Sequence, residues 1–241
     1  MRGLPLFLPP LFVIAAAAAS VFGALPCRAE SVDLALVLAV DVSGSIDSER
    51  FAIQRNGYAA AFDNASVIDA IASGAHGAIA VTYVEWSGPG HQQQMVGWTV
   101  INDARSSSAF STAISKTERI YSDWTSISGV IDFAVNLLRR SGIEADREVI
   151  DISGDGPNNS GRSIADARDA ALAAGITING LPILALEPQL DVYYRDYVVG
   201  GTGAFTIAVE NFDTFATGIL NKMVKEIVDR DDRRATASLG R

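Results

Sequence analysis

The chain has 241 residues, with 28 Asp and Glu against 19 Lys and Arg, so its net charge is −9 and its pI is near 4.7. Hydrophobic residues make up 49% of it, which is enough apolar surface to exclude a disordered chain. The acidic balance argues against a nucleic-acid binder, because phosphates are bound by clustered Lys and Arg. A single Cys excludes a disulfide scaffold.

The first 29 residues have the layout of a secretory signal peptide. Arg2 provides a positive start, residues 4–25 are predominantly apolar, and Cys27-Arg28-Ala29 places small residues at both positions that a cleavage site requires. We therefore predict a signal peptide at residues 1–29, cleaved after Ala29. Cleavage leaves 212 residues with 28 acids and 17 bases, a net charge of −11, because Arg2 and Arg28 are lost.

Two other interpretations of this segment stay open. The apolar stretch is long enough for an uncleaved membrane anchor, although its prolines weaken that interpretation. Cys27 could mark a lipoprotein, but Pro26 fits poorly before such a cysteine. We expect an exported bacterial protein, periplasmic or secreted, with no membrane span once the signal is removed.

Strand-like and helix-like segments alternate from residue 32 to about residue 229. Apolar runs predict strands at residues 32–40, 78–86, 95–101, 148–153, 177–184 and 204–209. Helical spacing predicts helices at residues 47–64, 103–120, 128–140, 163–174 and 190–199, and from Asn211 onward. Turn residues 87–90 predict an antiparallel hairpin of the second and third strands. Residues 230–241 are predicted to be a flexible charged tail after a domain at 30–229.

This alternation predicts an α/β fold: a doubly wound, mostly parallel six-stranded sheet with one antiparallel edge strand and helices on both faces. In such sheets ligands bind beyond the carboxyl ends of the strands. The loops that follow the first and fourth strands are therefore the places to look for chemistry.

Oxygen-bearing side chains follow the first strand at every second residue. Asp41, Ser43 and Ser45 lie on the same side of an extended segment, and Gly44 allows the backbone to turn. An oxygen-only set suits Mg²⁺, Mn²⁺ or Ca²⁺ rather than Zn²⁺. The alternative is that Ser45 and Asp47 only serve the start of the following helix.

Two further loops contribute oxygen donors to the predicted site. Asp155 follows the fourth strand, which should neighbour the first strand across the switch point of the sheet. It would then approach Asp41, and two adjacent carboxylates raise a pKa unless a cation is present. Thr125 lies in a third loop before a helix, where it could instead be an N-cap.

These residues resemble the metal-ion-dependent adhesion site of von Willebrand factor type A domains in order, spacing and context. The resemblance covers residues 32–228, and residues 83–86, 150–156 and 176–183 are similar to a bacterial family of exported proteins of this type with no established function. It implies that the five metal ligands are Asp41, Ser43, Ser45, Thr125 and Asp155. One departure is Gly154, where the wider family usually has Thr or Ser before the second Asp.

The resemblance implies a binding function rather than catalysis. Five protein groups cannot close the coordination of Mg²⁺ without water or a ligand, and in many such domains a carboxylate from a partner protein completes it. We therefore expect a cation-dependent module that binds an acidic residue of an unknown partner protein. Trp124, beside Thr125, would contact the partner or wall the site, with packing of the loop as the alternative.

The rival interpretation is a metal-assisted hydrolase or phosphatase that uses the same Mg²⁺ site. No Gly-x-Ser-x-Gly elbow appears, and we assign His76 and His91 to the surface, so a catalytic set is missing. Arg162 follows the Asp155 loop but is expected to face solvent. Glu85 is either a hydrogen-bond acceptor behind the metal site or a buried carboxylate satisfied by backbone.

Overall fold

The structure is a computed structural model and describes residues 31–228. The strands are β1 (Leu34–Asp41), β2 (Ile79–Trp86), β3 (Gln92–Ile101), β4 (Glu148–Gly154) and β5 (Thr177–Pro182). The helices are α1 (Ser48–Phe62), α2 (Ala65–Ala72), α3 (Ala104–Ser115), α4 (Ile127–Arg140), α5 (Ile164–Ala173), α6 (Leu190–Tyr193) and α7 (Phe215–Val228). The predicted signal peptide and charged tail lie outside the described residues.

The five strands form one sheet in the order β3-β2-β1-β4-β5. β1 is parallel to both of its neighbours, β4 is parallel to β5, and β3 is antiparallel to β2. All eight residues of β1 are buried, as expected for a central strand covered on both faces. The predicted α/β fold, with a mostly parallel sheet and an antiparallel edge strand, is confirmed.

Side chains of β1 divide between two cores, one on each face of the sheet. Leu34, Leu36 and Leu38 belong to the core that α1, α2, α3 and α7 cover, whereas Ala35 and Val37 belong to the core under α4, α5 and α6. This division follows from the two-residue period of a strand. Helices therefore lie on both faces, and the loops between strands and helices collect at the edges of the sheet.

The prediction of six strands is wrong, because the segment 204–209 does not form a strand. It runs beside β5 through isolated bridges, Gly180 with Thr206 and Ile183 with Val209. The backbone N–H of Phe205 donates to the Asn179 side chain at 2.8 Å instead of to a β5 carbonyl. Between the two bridges, Pro182 of β5 has no N–H to donate, so the regular pairing that would define a sixth strand is interrupted.

Two helical predictions also differ from the structure. The helix predicted at 103–120 ends at Ser115, and the chain continues without regular structure to residue 126. The sequence pattern does not predict helix α2. Asn64 caps this helix by accepting the N–H of Ser66, and its short apolar face packs into the core that α1, α3 and α7 also cover. Among residues 31–228, no helix has both the length and the apolar character needed to cross a bilayer.

A buried ion network joins α7 to the sheet. The Lys222 ammonium lies 2.9 Å from Asp151 of β4 and 3.1 Å from Glu226, and Asn179 of β5 donates to Glu226 at 2.8 Å. Burial alone would lower the pKa of Lys222, but the two carboxylates outweigh it and raise the pKa. The ammonium is therefore the countercharge on which both carboxylates depend.

Replacing Lys222 with Met keeps the aliphatic length but leaves Asp151 and Glu226 buried without a cation. We expect the free energy of unfolding at pH 8 to fall by about 3–5 kcal/mol, because breaking a buried pair strands a charge. The loss should be smaller at pH 5, because burial raises the pKa of Asp151 to about 6 and this carboxyl takes up a proton there. Urea unfolding measures this, with exposed Lys225→Met as the matched control, expected to cost less than about 1 kcal/mol. Equal losses for the two variants would contradict the assignment.

Candidate metal centre

The candidate site lies at the carboxyl edge of the sheet, where β1 and β4 end side by side. Val40 of β1 pairs with Ser153 of β4, so the residues that follow each strand emerge next to one another. From this edge β1 leads to α1 on one face and β4 leads to α5 on the other. This is a topological switch point, the position at which doubly wound sheets bind ligands.

The loop after β1 brings its three predicted side chains together. Asp41 is fully buried, and its Oδ1 accepts the backbone N–H of Ser43 at 2.7 Å. The hydroxyls of Ser43 and Ser45 lie 3.3 Å apart. The guanidinium of Arg119 donates to the Ser43 carbonyl at 2.7 Å and also to the Val42 carbonyl, so the loop backbone is held from outside.

Asp155 reaches this loop from the end of β4. The Ser45 hydroxyl donates to Asp155 Oδ1 at 2.6 Å, which joins two residues 110 positions apart in sequence. Arg50, in the first turn of α1, places Nη1 3.7 Å from Asp155 Oδ2 and donates to the Ser45 carbonyl at 2.8 Å. The structure therefore brings together the side chains of Asp41, Ser43, Ser45 and Asp155.

Thr125 is held against the same edge by the loop that follows Asp155. Its backbone N–H donates to the Asn159 side chain at 2.9 Å, and the Asn159 N–H donates back to the Thr125 carbonyl at 3.0 Å. A Cβ at Gly156 would lie 3.9 Å from the Thr125 hydroxyl, so this hydroxyl faces the Asp155 loop. The N-cap of α4 is Ser126, which accepts the N–H of Gly129, and Thr125 is not needed for that role.

The two carboxylates of the site repel each other electrostatically. Burial and the negative charge of Asp155 raise the pKa of Asp41 to about 7. Burial also raises the pKa of Asp155, although the hydrogen bond from Ser45 and the charge of Arg50 work in the opposite direction. Ionising both groups at neutral pH is costly in this environment unless another positive charge approaches.

The donor set fits a hard divalent cation. Asp41 Oδ2 and Asp155 Oδ2 are buried and lack a hydrogen-bond partner among the described residues. Unsatisfied buried carboxylate oxygens are unusual and need an explanation, of which an ion is one. Carboxylates and hydroxyls without His or Cys are the ligand types that Mg²⁺, Mn²⁺ and Ca²⁺ accept.

Trp124 is the exposed aromatic residue next to this edge, with 65% of its surface accessible. The packing interpretation of Trp124 therefore does not hold. Glu85 is fully buried in β2, and both of its carboxylate oxygens lack a hydrogen-bond partner among the described residues, so backbone does not satisfy it. Burial raises its pKa to about 7, although Thr117, Arg55 and Arg119 counteract this effect.

Both histidines are at the surface, as predicted, but each has an acidic neighbour. His91 lies 3.1 Å from Asp123 and stacks on Tyr121, with ring centroids 4.8 Å apart. His76 lies 3.5 Å from Asp146, and with Asp33 these residues form a second group with ligand atoms within 4.8 Å of one another. Asp33 already accepts the backbone N–H of His76, which gives that carboxylate a structural role.

Two residues of the site escaped the sequence analysis. Arg50 lies in the first turn of α1, and a long side chain in that turn can reach back to the loop after β1. Tyr194 is buried in the helical segment after α6, and burial followed by the charges of Asp41 and Asp155 raises its pKa well above the usual value. No local pattern marks it, because it lies 39 residues beyond Asp155 in the chain.

Solved structures with this architecture come from a mussel and from bacteria. Proximal thread matrix protein 1 from the mussel byssus is 16% identical, with a TM-score of 0.58, over 83% of this chain and 47% of that one. The same values hold for its structure "with zinc occupied MIDAS motif". The pilus adhesin SpaC from Lactobacillus rhamnosus GG is 14% identical, with a TM-score of 0.60, over 82% of this chain and 31% of that one.

A von Willebrand factor type A protein from Catenulispora acidiphila is 16% identical, with a TM-score of 0.59, over 82% of this chain and 43% of that one. Such likeness shows the fold: the chain has a von Willebrand factor type A-like fold, as the resemblance implied, and it spans less than half the length of these relatives. More narrowly, it belongs to the family described as "Protein of unknown function (DUF1194)", whose model matches residues 31–231. No curated protein matches it.

The raised pKa of Asp41 predicts a pH-dependent gain in stability for Asp41→Asn when metal is removed by EDTA. A folded pKa of about 7 against 3.8 means that Asp41 favours the folded state below pH 4 and loses that contribution as pH rises through 7. Asn imitates the protonated acid, so the variant should be more stable than wild type at pH 8, by at most about 4 kcal/mol. The difference should shrink towards pH 4.

Thermal unfolding across this pH range measures the effect. Exposed Asp47→Asn, at the N-cap of α1, is the control, because it removes a carboxylate whose hydrogen bond to the Arg50 N–H faces solvent. Its effect should not grow between pH 5 and pH 8. If Asp41→Asn destabilises the metal-free protein equally at every pH, repulsion between Asp41 and Asp155 does not destabilise the fold.

Proposed function

We propose that this protein is an exported protein-binding module that depends on a divalent cation and captures a carboxylate of a partner protein. The observation that carries the proposal is the buried pair of Asp41 and Asp155, each with one oxygen that lacks a hydrogen-bond partner, beside two clustered hydroxyls. The fold is shared with a pilus adhesin and a byssal matrix protein, which is compatible with this function.

The residues that would hold the cation are Asp41, Ser43, Ser45, Thr125 and Asp155, with Asp155 acting directly or through water. Mg²⁺ is the expected ion, and Mn²⁺ or Ca²⁺ could occupy the same oxygen set. When bound, the ion would supply an electrophilic centre, because the protein groups would leave a coordination position for a further anionic oxygen. An acidic side chain from outside would complete the coordination.

The surroundings favour a partner with an acidic residue next to an apolar one. Trp124 exposes its ring beside Thr125 and offers the kind of aromatic surface that interfaces use. Arg50 keeps a positive charge near Asp155. The remaining surface is acidic, with a predicted net charge of −11 after cleavage, so long-range repulsion would select against partners that are acidic elsewhere.

Export is part of the proposal. A signal peptide at residues 1–29, cleavage after Ala29 and a periplasmic or secreted location follow from the sequence of the first 29 residues. The binding domain would extend over residues 30–229. In that location a partner would be another envelope or extracellular protein.

A metal-assisted hydrolase is the second candidate, and Arg50 is the observation that favours it. Its guanidinium lies close enough to the candidate site to contact an anionic substrate. Against this candidate, His76 pairs with Asp146, His91 pairs with Asp123, and Arg162 forms a two-pronged ion pair with Asp132. A hydrolase would therefore rely on the metal and one arginine alone.

Cation-dependent capture tests the binding function. Wild type, Asp41→Ala and Trp124→Ala are immobilised and exposed to envelope extract of the exporting cell, with Mg²⁺ or with EDTA. We expect at least one protein to be retained only by wild type with Mg²⁺, because both the ion and Asp41 are needed. Trp124→Ala should retain roughly a tenth or less of it, as expected for loss of an aromatic anchor. Val100→Ala, an exposed apolar residue on β3, is the matched control and should retain it fully. Identical retention in all arms would refute capture through this site.

Hydrolysis of an aryl phosphate in Mg²⁺ separates the two candidates. The binding module should show no turnover above buffer, whereas a hydrolase should show turnover that disappears in Asp41→Ala and falls in Arg50→Gln. Arg162→Gln serves as the control, because that arginine is engaged with Asp132. Turnover that depends on Asp41 and Arg50 would replace the binding proposal with the enzymatic one.

A further inference from the structure

The hydroxyl of Tyr194 and the carboxylate of Asp41 border the same small space at the end of β4. A Cβ at Gly154 would lie 2.9 Å from Tyr194 Oη and 2.9 Å from Asp41 Oδ2. Any side chain at this position would push against both oxygens. Gly154 therefore leaves open a space that both groups border, directly before Asp155.

A second glycine makes room for the ring of the same tyrosine. A Cβ at Gly180 of β5 would lie only 2.6 Å from Tyr194 Cδ1, which is too close for any real contact. Gly180 pairs with Ile152, two residues before Gly154, so the two glycines lie on adjacent strands. The sheet backbone itself thus admits the whole Tyr194 side chain, with the ring over β5 and the hydroxyl at the end of β4.

The chain segment that carries Tyr194 is also unusual. Residues Tyr194–Val198 form a π-helical turn directly after α6, and such turns are frequent at functional sites. The N–H of Val199 donates to the Tyr194 carbonyl at 2.8 Å and closes the turn. This geometry directs the side chain inward, and the residue is fully buried.

The buried hydroxyl has no other task in the described residues. Tyr194 Oη and Asp41 Oδ2 both lack a hydrogen-bond partner there. A buried polar group without a partner costs about 1–3 kcal/mol, so packing of the ring alone would be served better by Phe. A tyrosine hydroxyl is protonated at neutral pH and is able to donate a hydrogen bond.

We propose that Tyr194 is a positioning residue of the cation site. In this structure its hydroxyl borders the same gap as Asp41 Oδ2 without a hydrogen bond between them, and we infer that it donates to that oxygen when the cation is bound and so fixes the orientation of the carboxylate. The Ser43 N–H already restrains Oδ1, so the carboxylate would be held at both oxygens. Partners of this kind orient metal ligands and raise affinity. The inference rests on the proposed cation site.

Titration with Mn²⁺, followed by the electron paramagnetic resonance signal of the free ion, tests this role without any partner or substrate. We expect Tyr194→Phe to bind Mn²⁺ about 10-fold more weakly than wild type, the lower end of what such orienting partners contribute. Tyr83→Phe is the matched control, since Tyr83 is also fully buried with a hydroxyl that lacks a partner in the described region, and its affinity should not change. In EDTA, Tyr194→Phe should be no less stable than wild type.

A relocated hydroxyl separates positioning from packing. Gly154→Ser should weaken Mn²⁺ binding, because its Cβ meets both oxygens. The double variant Tyr194→Phe with Gly154→Ser removes the tyrosine hydroxyl and supplies a serine hydroxyl to the same gap from residue 154. It should therefore recover part of the Mn²⁺ affinity that Tyr194→Phe loses. Equal affinity of Tyr194→Phe and wild type would overturn the inference while leaving the cation site intact. No binding by wild type, or undiminished binding by Asp41→Ala, would overturn the cation site itself.

Discussion

Two carboxylates, Asp41 and Asp155, are buried at the same point between neighbouring strands, and the structure of the site depends on how that charge is accommodated. Their approach follows from the parallel pairing of β1 and β4, and Ser45 joins the two loops with a single short hydrogen bond. Burial makes the mutual repulsion expensive, which is why the pKa of Asp41 is about 7. A cation, a proton or a rearrangement must relieve it.

Strand β4 itself contains another buried carboxylate, whose charge is compensated differently. Asp151 lies four residues before Asp155, and the ammonium of Lys222 neutralises it from within the fold. Asp155 has only the partly exposed Arg50, at 3.7 Å. The protein therefore supplies an internal cation where the carboxylate is structural, and leaves the charge largely uncompensated at the edge where ligands reach a doubly wound sheet.

The loops around this edge restrain the site on several sides. Asn159 ties the Asp155 loop to Thr125, and the backbone of Gly44 donates to Asp123 in the same loop as Thr125. Buried Tyr194 closes the side toward β5 because two glycines admit it. The ring of Trp124 is exposed to solvent beside these restrained loops. The candidate ligands are therefore fixed, while a neighbouring surface stays accessible. A binding site needs both: fixed ligands and an approachable surface.

Local signals in the sequence were sufficient for the fold class and for locating the polar residues that follow β1 and β4. A continuous apolar run marks a strand buried on both faces, and polar residues after such a strand must lie at its carboxyl end. Periodicity could not decide between a paired sixth strand and a segment that runs beside β5, because the outcome depends on β5 itself, where Asn179 accepts the Phe205 N–H and Pro182 has no N–H to donate. It also missed α2, whose eight residues are too few for a clear helical pattern.

By itself, then, the sequence determined the α/β architecture and the strand ends where Asp41, Ser43, Ser45 and Asp155 would meet, because these depend on neighbours along the chain and on the general topology of parallel sheets. Only the tertiary structure decided what surrounds them. Tyr194 and Arg50 reach the site through contacts between distant elements, and their placement is set by the space that the backbone leaves, which no short stretch of sequence encodes.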